Sequence, residues 1–225
     1  MPTRAQCARI QQLAAELNAA YGPQQWWPAE TRFEVLLGAI LTQNTAWTHV
    51  EKALDQLRQV IALEPEPILA LSREALAQAI RPAGYFNQKA ARIHGFCAWF
   101  LEHGGFTAFD QIETQALREA LLAVHGIGPE TADDMMLYAF ERPVFVVDAY
   151  THRLLQRYLK APPPQDYETV RGWVEEAFAA LETPTRVKTF NELHAQIVRH
   201  AKVACTKRNP DCGSCAIQKE CCQRL

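Results

Sequence analysis

The sequence predicts an all-α fold, and three observations carry that prediction. Apolar residues recur at helical spacing along nearly the whole chain, and proline and glycine clusters interrupt the pattern every helix length or so. Only Val144–Val147 reads as an extended apolar run, too short to imply a sheet.

The elements follow in order. The opening stretch MPTRAQCARIQQLAAEL has the pattern of an amphipathic helix and lacks the long apolar core of a signal peptide. Thr31-x-x-Glu34 reads as a capping box, in which hydroxyl and carboxylate satisfy free amides at a helix start. Phe33, Leu36, Leu37, Ile40 and Leu41 then form an apolar stripe. A second stripe, Val50, Ala53, Leu54, Leu57 and Ile61, ends before Pro65 and Pro67. Ser72 opens a short helix through Leu76 and Ile80, and Pro82 with Gly84 marks a break. A helix from about Asn87 to Leu101 is stopped by Gly104 and Gly105. Leu117, Leu121 and Leu122 lead into HGIGPETADDMMLYA. Pro162–Pro164 form a stiff connector before two last helices, near Tyr167–Leu181 and Thr185–Ala201. There is no internal repeat and no low-complexity tail.

At 225 residues the chain suits one large domain or two small ones, and 48% apolar residues suffice for a core. No run approaches the ~18 uninterrupted apolar residues of a membrane helix. A cytoplasmic protein with no membrane partner is therefore expected, and a monomer. Seven cysteines could suggest disulfides, but four crowd into the last stretch at metal-site spacing, which in a reducing compartment means ligands. The net charge of −2 does not by itself mark a nucleic-acid binder. Between Arg186 and Arg208, however, Arg186, Lys188, Arg199, Lys202, Lys207 and Arg208 face only Glu192. Such a local patch can contact phosphates, although a solvated helix face would look the same.

Three segments carry chemistry. The first is Cys205-x6-Cys212-x2-Cys215-x5-Cys221, four thiolates able to close around one metal centre. Spacing leaves zinc and a [4Fe-4S] cluster both open. Cys222 could compete with Cys221, while Cys7 and Cys97 are isolated and suit the core. Lys207, Arg208 and Lys219 lie among the ligands, so the loop can present positive charge to a phosphate backbone. The second is His125-Gly126-Ile127-Gly128-Pro129, a tight turn delivering a helix N-terminus with proline in its first turn. The amides of Gly126 and Gly128 then form a phosphate seat; a plain helical turn is the alternative. The third is Asp148, directly after the run Phe145-Val146-Val147, where an acid is by default a helix N-cap.

These segments, in this order, resemble the endonuclease III superfamily of helix–hairpin–helix DNA glycosylases. The cysteine spacing resembles its iron–sulfur loop, HGIGPETA its hairpin, and VVDAYTHR the segment bearing its catalytic aspartate. Upstream, Leu41-Thr42-Gln43-Asn44-Thr45 is similar to the stretch whose glutamine fills the gap left by an extruded base, and Gly84-Tyr85-Phe86-Asn87-Gln88-Lys89-Ala90 is similar to a family turn. The resemblance runs from about residue 30 to the end. It implies two helical modules: a six-helix barrel with the hairpin at 25–137, and an iron–sulfur module from 1–24 and 138–225. It implies a [4Fe-4S] cofactor on Cys205, Cys212, Cys215 and Cys221, damaged double-stranded DNA as partner, and Asp148 as catalytic carboxylate.

The sequence departs from the bifunctional members at one position. Their lysine, two residues after the second hairpin glycine, is Glu130 here. A carboxylate cannot form the imine that leads to strand cleavage, so hydrolysis of the base–sugar bond without lyase activity is expected. The nucleotide is flipped out, Gln43 fills its place, and Asp148 stabilises the charge developing on the sugar and orients the water. Glu130 is either a second catalytic carboxylate or a solvated first-turn glutamate. Loss of the lysine favours a base that leaves readily, and the chain is similar to methylpurine glycosylases, including in this glutamate. For a cationic base such as 3-methyladenine or 7-methylguanine, Trp47 and Tyr85 are candidate aromatic faces, with Trp26, Trp27 and Phe86 behind them. A thymine/uracil mismatch or oxidised-pyrimidine glycosylase is the nearest alternative; a non-catalytic iron–sulfur DNA-binding protein is the second. An adenine mismatch enzyme should carry a further C-terminal domain, and the chain is expected to stop short of one.

Overall fold

The computed structural model describes residues 1–24 and 26–222. Among them are twelve α-helices and no β-strand, in accord with the all-α prediction. None of these helices is long and apolar enough to cross a membrane. The chain divides into two compact units, one of Met1–Pro28 with Glu141–Leu225 and one of Ala29–Phe140.

The middle unit is built around α2 (Arg32–Leu41), in which every residue from Phe33 to Leu41 is buried. The unit also holds α3 (Trp47–Arg58), α4 (Pro65–Ala70), α5 (Arg73–Ala79), α6 (Phe86–Glu102), α7 (Gly105–Phe109), α8 (Thr114–Leu122) and α9 (Pro129–Asp134), of which α3, α6 and α9 pack on α2. A π-helical turn, Met135–Ala139, continues α9. Two of these, α4 and α7, are short helices absent from the sequence reading. Pro65, expected only as a stop, opens α4 in its first turn, where the missing N–H is harmless. Thr31 caps α2 by accepting from Glu34 N at 3.1 Å, but Glu34 does not close the box. Its carboxylate accepts instead from Glu30 N and from Arg58 of α3. At one end of the unit, Phe33, Phe96, Trp99, Phe100, Phe106 and Phe109 pack ring against ring. Arg32 lies over Phe106 and pairs with both oxygens of Asp110.

The discontinuous unit holds α1 (Arg4–Tyr21), α10 (Ala149–Tyr158), α11 (Tyr167–Ala177) and α12 (Thr183–Val203), with α1 packed on α11 and α12. A complete capping box, Thr3 with Gln6, starts α1. Helix α11 ends earlier than expected because residues 178–181 tighten into i→i+3 turns that bury Phe178 against Phe190. Helix α12 is longer than expected, since Pro184 is accommodated in its first turn. Val144–Val147 is buried but pairs with no strand. Val144 N donates to Arg142 O at 2.8 Å, and two further donors go to side chains: Phe145 N to Glu175 Oε1 at 3.0 Å and Val147 N to Tyr167 Oη at 3.4 Å.

Candidate active site and cysteine loop

In the middle unit the hairpin turn lies between α8 and α9, and its two helices are pinned by a buried ion pair. Arg118 Nε donates to Asp133 Oδ1 at 2.6 Å and Nη2 to Oδ2 at 3.0 Å, with side chains 5% and 0% exposed. Gly126 takes φ +89°, a conformation that L side chains rarely adopt. Gly128 is the N-cap of α9, and Glu130 is exposed in its first turn.

Gln43 follows α2 and reaches the hairpin. Its Nε2 donates to Gly126 O at 2.9 Å and to Thr131 Oγ1 at 3.0 Å, and its Oε1 accepts from Arg92. A pocket of about 180 Å³ opens here, lined by Ala39, Thr42, Gln43, Asn44, Glu130, Thr131 and Asp134. Trp47 and Tyr85 are not among those residues. The Trp47 indole donates to Glu51 at 2.9 Å, and Tyr85 is 67% exposed with a left-handed φ of +46°.

Lys89 explains why the turn at residues 84–90 accompanies the Gln43 loop. Its buried ammonium donates to Leu41 O (2.7 Å), Thr45 Oγ1 (2.6 Å) and Ala83 O (2.9 Å), using its three protons to tie the loops together. Burial, and then the charge of Arg92, lowers its pKa to about 8, which leaves it protonated at neutral pH.

In the discontinuous unit Asp148 is the N-cap of α10, with Oδ1 accepting from Thr151 N at 2.7 Å. Its side chain is 13% exposed, and Oδ2 lies 3.6 Å from Nε2 of the buried His194 on α12. Burial pushes the carboxyl upward, but the neighbouring His194 imidazole and the bond from Thr151 N outweigh it, and the pKa falls below the ordinary 3.8. His194 was not singled out in the sequence, where a lone histidine on an apolar helix face has no partner in view. With its folded pKa depressed, Asp148 contributes stability above its unfolded pKa that is lost as pH falls through the folded value. Replacing His194 with Leu removes its share of the lowering and keeps the burial and the Thr151 bond, so the acidic limb of the kcat/KM profile should move to higher pH. An unmoved limb would show that His194 does not set the charge state of Asp148.

The four cysteines of the predicted ligand set line one cavity at the end of α12, with Arg157 and His200 beside them. Cys222 is exposed and does not line it. Arg157 of α10 donates from Nη1 to Cys205 Sγ at 3.2 Å and Thr206 O at 2.8 Å, and from Nη2 to Lys207 O at 3.1 Å. His200 is fully buried, with Nδ1 2.8 Å from Tyr21 Oη and Nε2 3.8 Å from Cys215 Sγ. The Cys215 thiol is raised by burial first, with Cys205 and Cys212 adding to it. Among the described residues no three His, Cys, Asp or Glu side chains converge as a single-ion site. Lys207 and Arg208 are exposed on the loop.

A helical unit bearing a pinned hairpin, and a second bearing both a capped, ionised aspartate and a cysteine loop, define a class of DNA-processing proteins, and comparison identifies it. The model of the HhH-GPD superfamily of base excision DNA repair proteins matches residues 37–179, and the chain belongs to that superfamily. A protein of Methanocaldococcus jannaschii named as a DNA repair glycosylase is 41% identical over 89% of this chain and 90% of its own. Endonuclease III of Haemophilus influenzae is 33% identical over 84% and 82%. Among solved structures, the H. pylori 3-methyladenine DNA glycosylase bound to 1,N6-ethenoadenine superposes with a TM-score of 0.74, at 31% identity over 88% of this chain and 97% of that one. The protein is accordingly a DNA N-glycosylase of base excision repair that acts on DNA.

Proposed function

We propose that this glycosylase is monofunctional: it hydrolyses the N-glycosidic bond of an alkylated purine in double-stranded DNA and leaves the abasic strand intact. The observation that carries the reading is Glu130, which stands in the first turn of α9 where the bifunctional enzymes have lysine. No amine is present there to attack the sugar, so the nucleophile is water. Asp148, ionised across the physiological range, stabilises the positive charge that develops on the sugar and holds the water. The pocket beside Gln43 carries two carboxylates, Glu130 and Asp134, a lining that suits a cationic methylpurine better than a neutral base. The likeness to the H. pylori 3-methyladenine enzyme supports the same class of substrate.

Cys205, Cys212, Cys215 and Cys221 would hold a [4Fe-4S] cluster. The four thiols share one cavity, Arg157 donates to one sulfur, and the likeness to endonuclease III supports the cluster over zinc. Bound there, the cluster would brace the loop that carries the exposed Lys207 and Arg208, which would contact phosphates. Gly126 and Gly128 supply backbone amides for a further phosphate.

The test is incubation of the purified protein with duplexes carrying 3-methyladenine, 7-methylguanine, uracil, a thymine–guanine mismatch and an oxidised pyrimidine. Release of the methylpurines, strand breaks only after alkali and no borohydride-trapped adduct are expected. Breaks without alkali would overturn the monofunctional reading, and preference for uracil or mismatched thymine the substrate. A preparation without iron and without broad absorption near ~400 nm would overturn the cluster.

A further inference from the structure

Arg92 stands on α6, one turn after Lys89, so the two cations share a helix face. Lys89 holds the two ends of the loop around Gln43, at Leu41 O and Thr45 Oγ1. Arg92 holds its middle, donating from Nη1 to Gln43 Oε1. The stem of Arg92 also lies directly on the hairpin turn: a Cβ at Gly126 would meet its Cγ, Cδ and Nε at 2.7–2.8 Å. Gly126 is thus required for close approach as well as for its positive φ. Because a guanidinium only donates and a carbonyl only accepts, the Gln43 carboxamide has one orientation, oxygen to Arg92 and nitrogen to Gly126 O and Thr131 Oγ1.

We propose that Arg92 is a positioning residue that locks Gln43 to the hairpin, so that the hairpin's grip on phosphate and the entry of Gln43 into the duplex act as one unit. This rests on the reading of Gln43 as the residue that fills the gap left by the flipped base. A free glutamine side chain loses much rotamer freedom on inserting; here that freedom is already surrendered on folding. A guanidinium that only touched phosphate would instead be independent of Gln43 and would act through salt-dependent affinity.

The experiment is a double-mutant cycle on the full-length protein, Arg92→Met against Gln43→Ala, with Arg92→Lys as the variant that keeps a donor. Insertion is read as the fluorescence rise of 2-aminopurine placed next to an abasic-site analogue in a duplex, with affinity measured in parallel across salt concentrations. Arg92→Met is expected to lose most of the rise, Arg92→Lys to restore part of it, and the double variant to do no worse than the poorer single. Thermal unfolding of each variant separates this loss from misfolding. Additive losses, or a loss confined to salt-dependent affinity, would overturn the proposal. A loss in Gln43→Ala without one in Arg92→Met would overturn it while sparing the role of Gln43. No loss in Gln43→Ala would overturn that role and the proposal with it.

Discussion

Replacing Asp148 with Asn should remove base release almost entirely, by about 10²–10⁴-fold in single-turnover rate, the range typical of a lost acid–base group or transition-state electrostatic contact. DNA affinity should stay near that of the parent, and the unfolding temperature should fall only by what the Asp148 charge contributes beside His194. The stability half follows from the cap: Asp148 Oδ1 accepts from Thr151 N, and asparagine caps helices about as well as aspartate. What asparagine lacks is the negative charge held ionised beside His194, which in the proposed mechanism stabilises the cation forming on the sugar. Asp148→Ala would add loss of the cap, about 1 kcal/mol, to the loss of activity. Single-turnover kinetics on a methylated duplex, with affinity measured separately, make the check. Activity surviving in Asp148→Asn would remove the carboxylate from the mechanism.

Arg118→Met should be among the most destabilising single changes in the middle unit. It strands the fully buried Asp133 without its bidentate partner, and breaking such a pair costs about 3–5 kcal/mol. Domains of this size are stable by only about 5–15 kcal/mol, so a large share of the folded margin goes with one side chain. The double change Arg118→Met with Asp133→Leu should recover much of the loss, because two apolar groups leave no charge to desolvate. Urea denaturation of the parent and the three variants measures this. A single variant no less stable than a surface substitution would mean that the hairpin is held by packing alone.

Most helices were legible because their signal is local. Apolar spacing located α2, α3, α5, α6 and α8, and Ser72 and Asp148 both proved to be helix caps. The misses have one local and one distant cause. Proline reads as a stop but also fits a first turn, which hid α4 and shortened the expected α12. Glu34 was read from its spacing to Thr31, whereas its carboxylate is taken by Arg58, a partner 24 positions away.

The order of motifs and the glutamate at position 130 were determined by the sequence alone, and from them came the family and the expectation of hydrolysis. Only the tertiary structure decided what each chemical group touches: His194 beside Asp148, Asp133 under Arg118, Gln43 between Arg92 and the hairpin, and Lys89 across three acceptors. Motif chemistry is written in near neighbours along the chain. A carboxylate's charge state and a side chain's orientation depend on groups far along the chain, such as Gly126 for Gln43 and His194 for Asp148, which leave no periodicity or spacing to read and meet only when the helices pack.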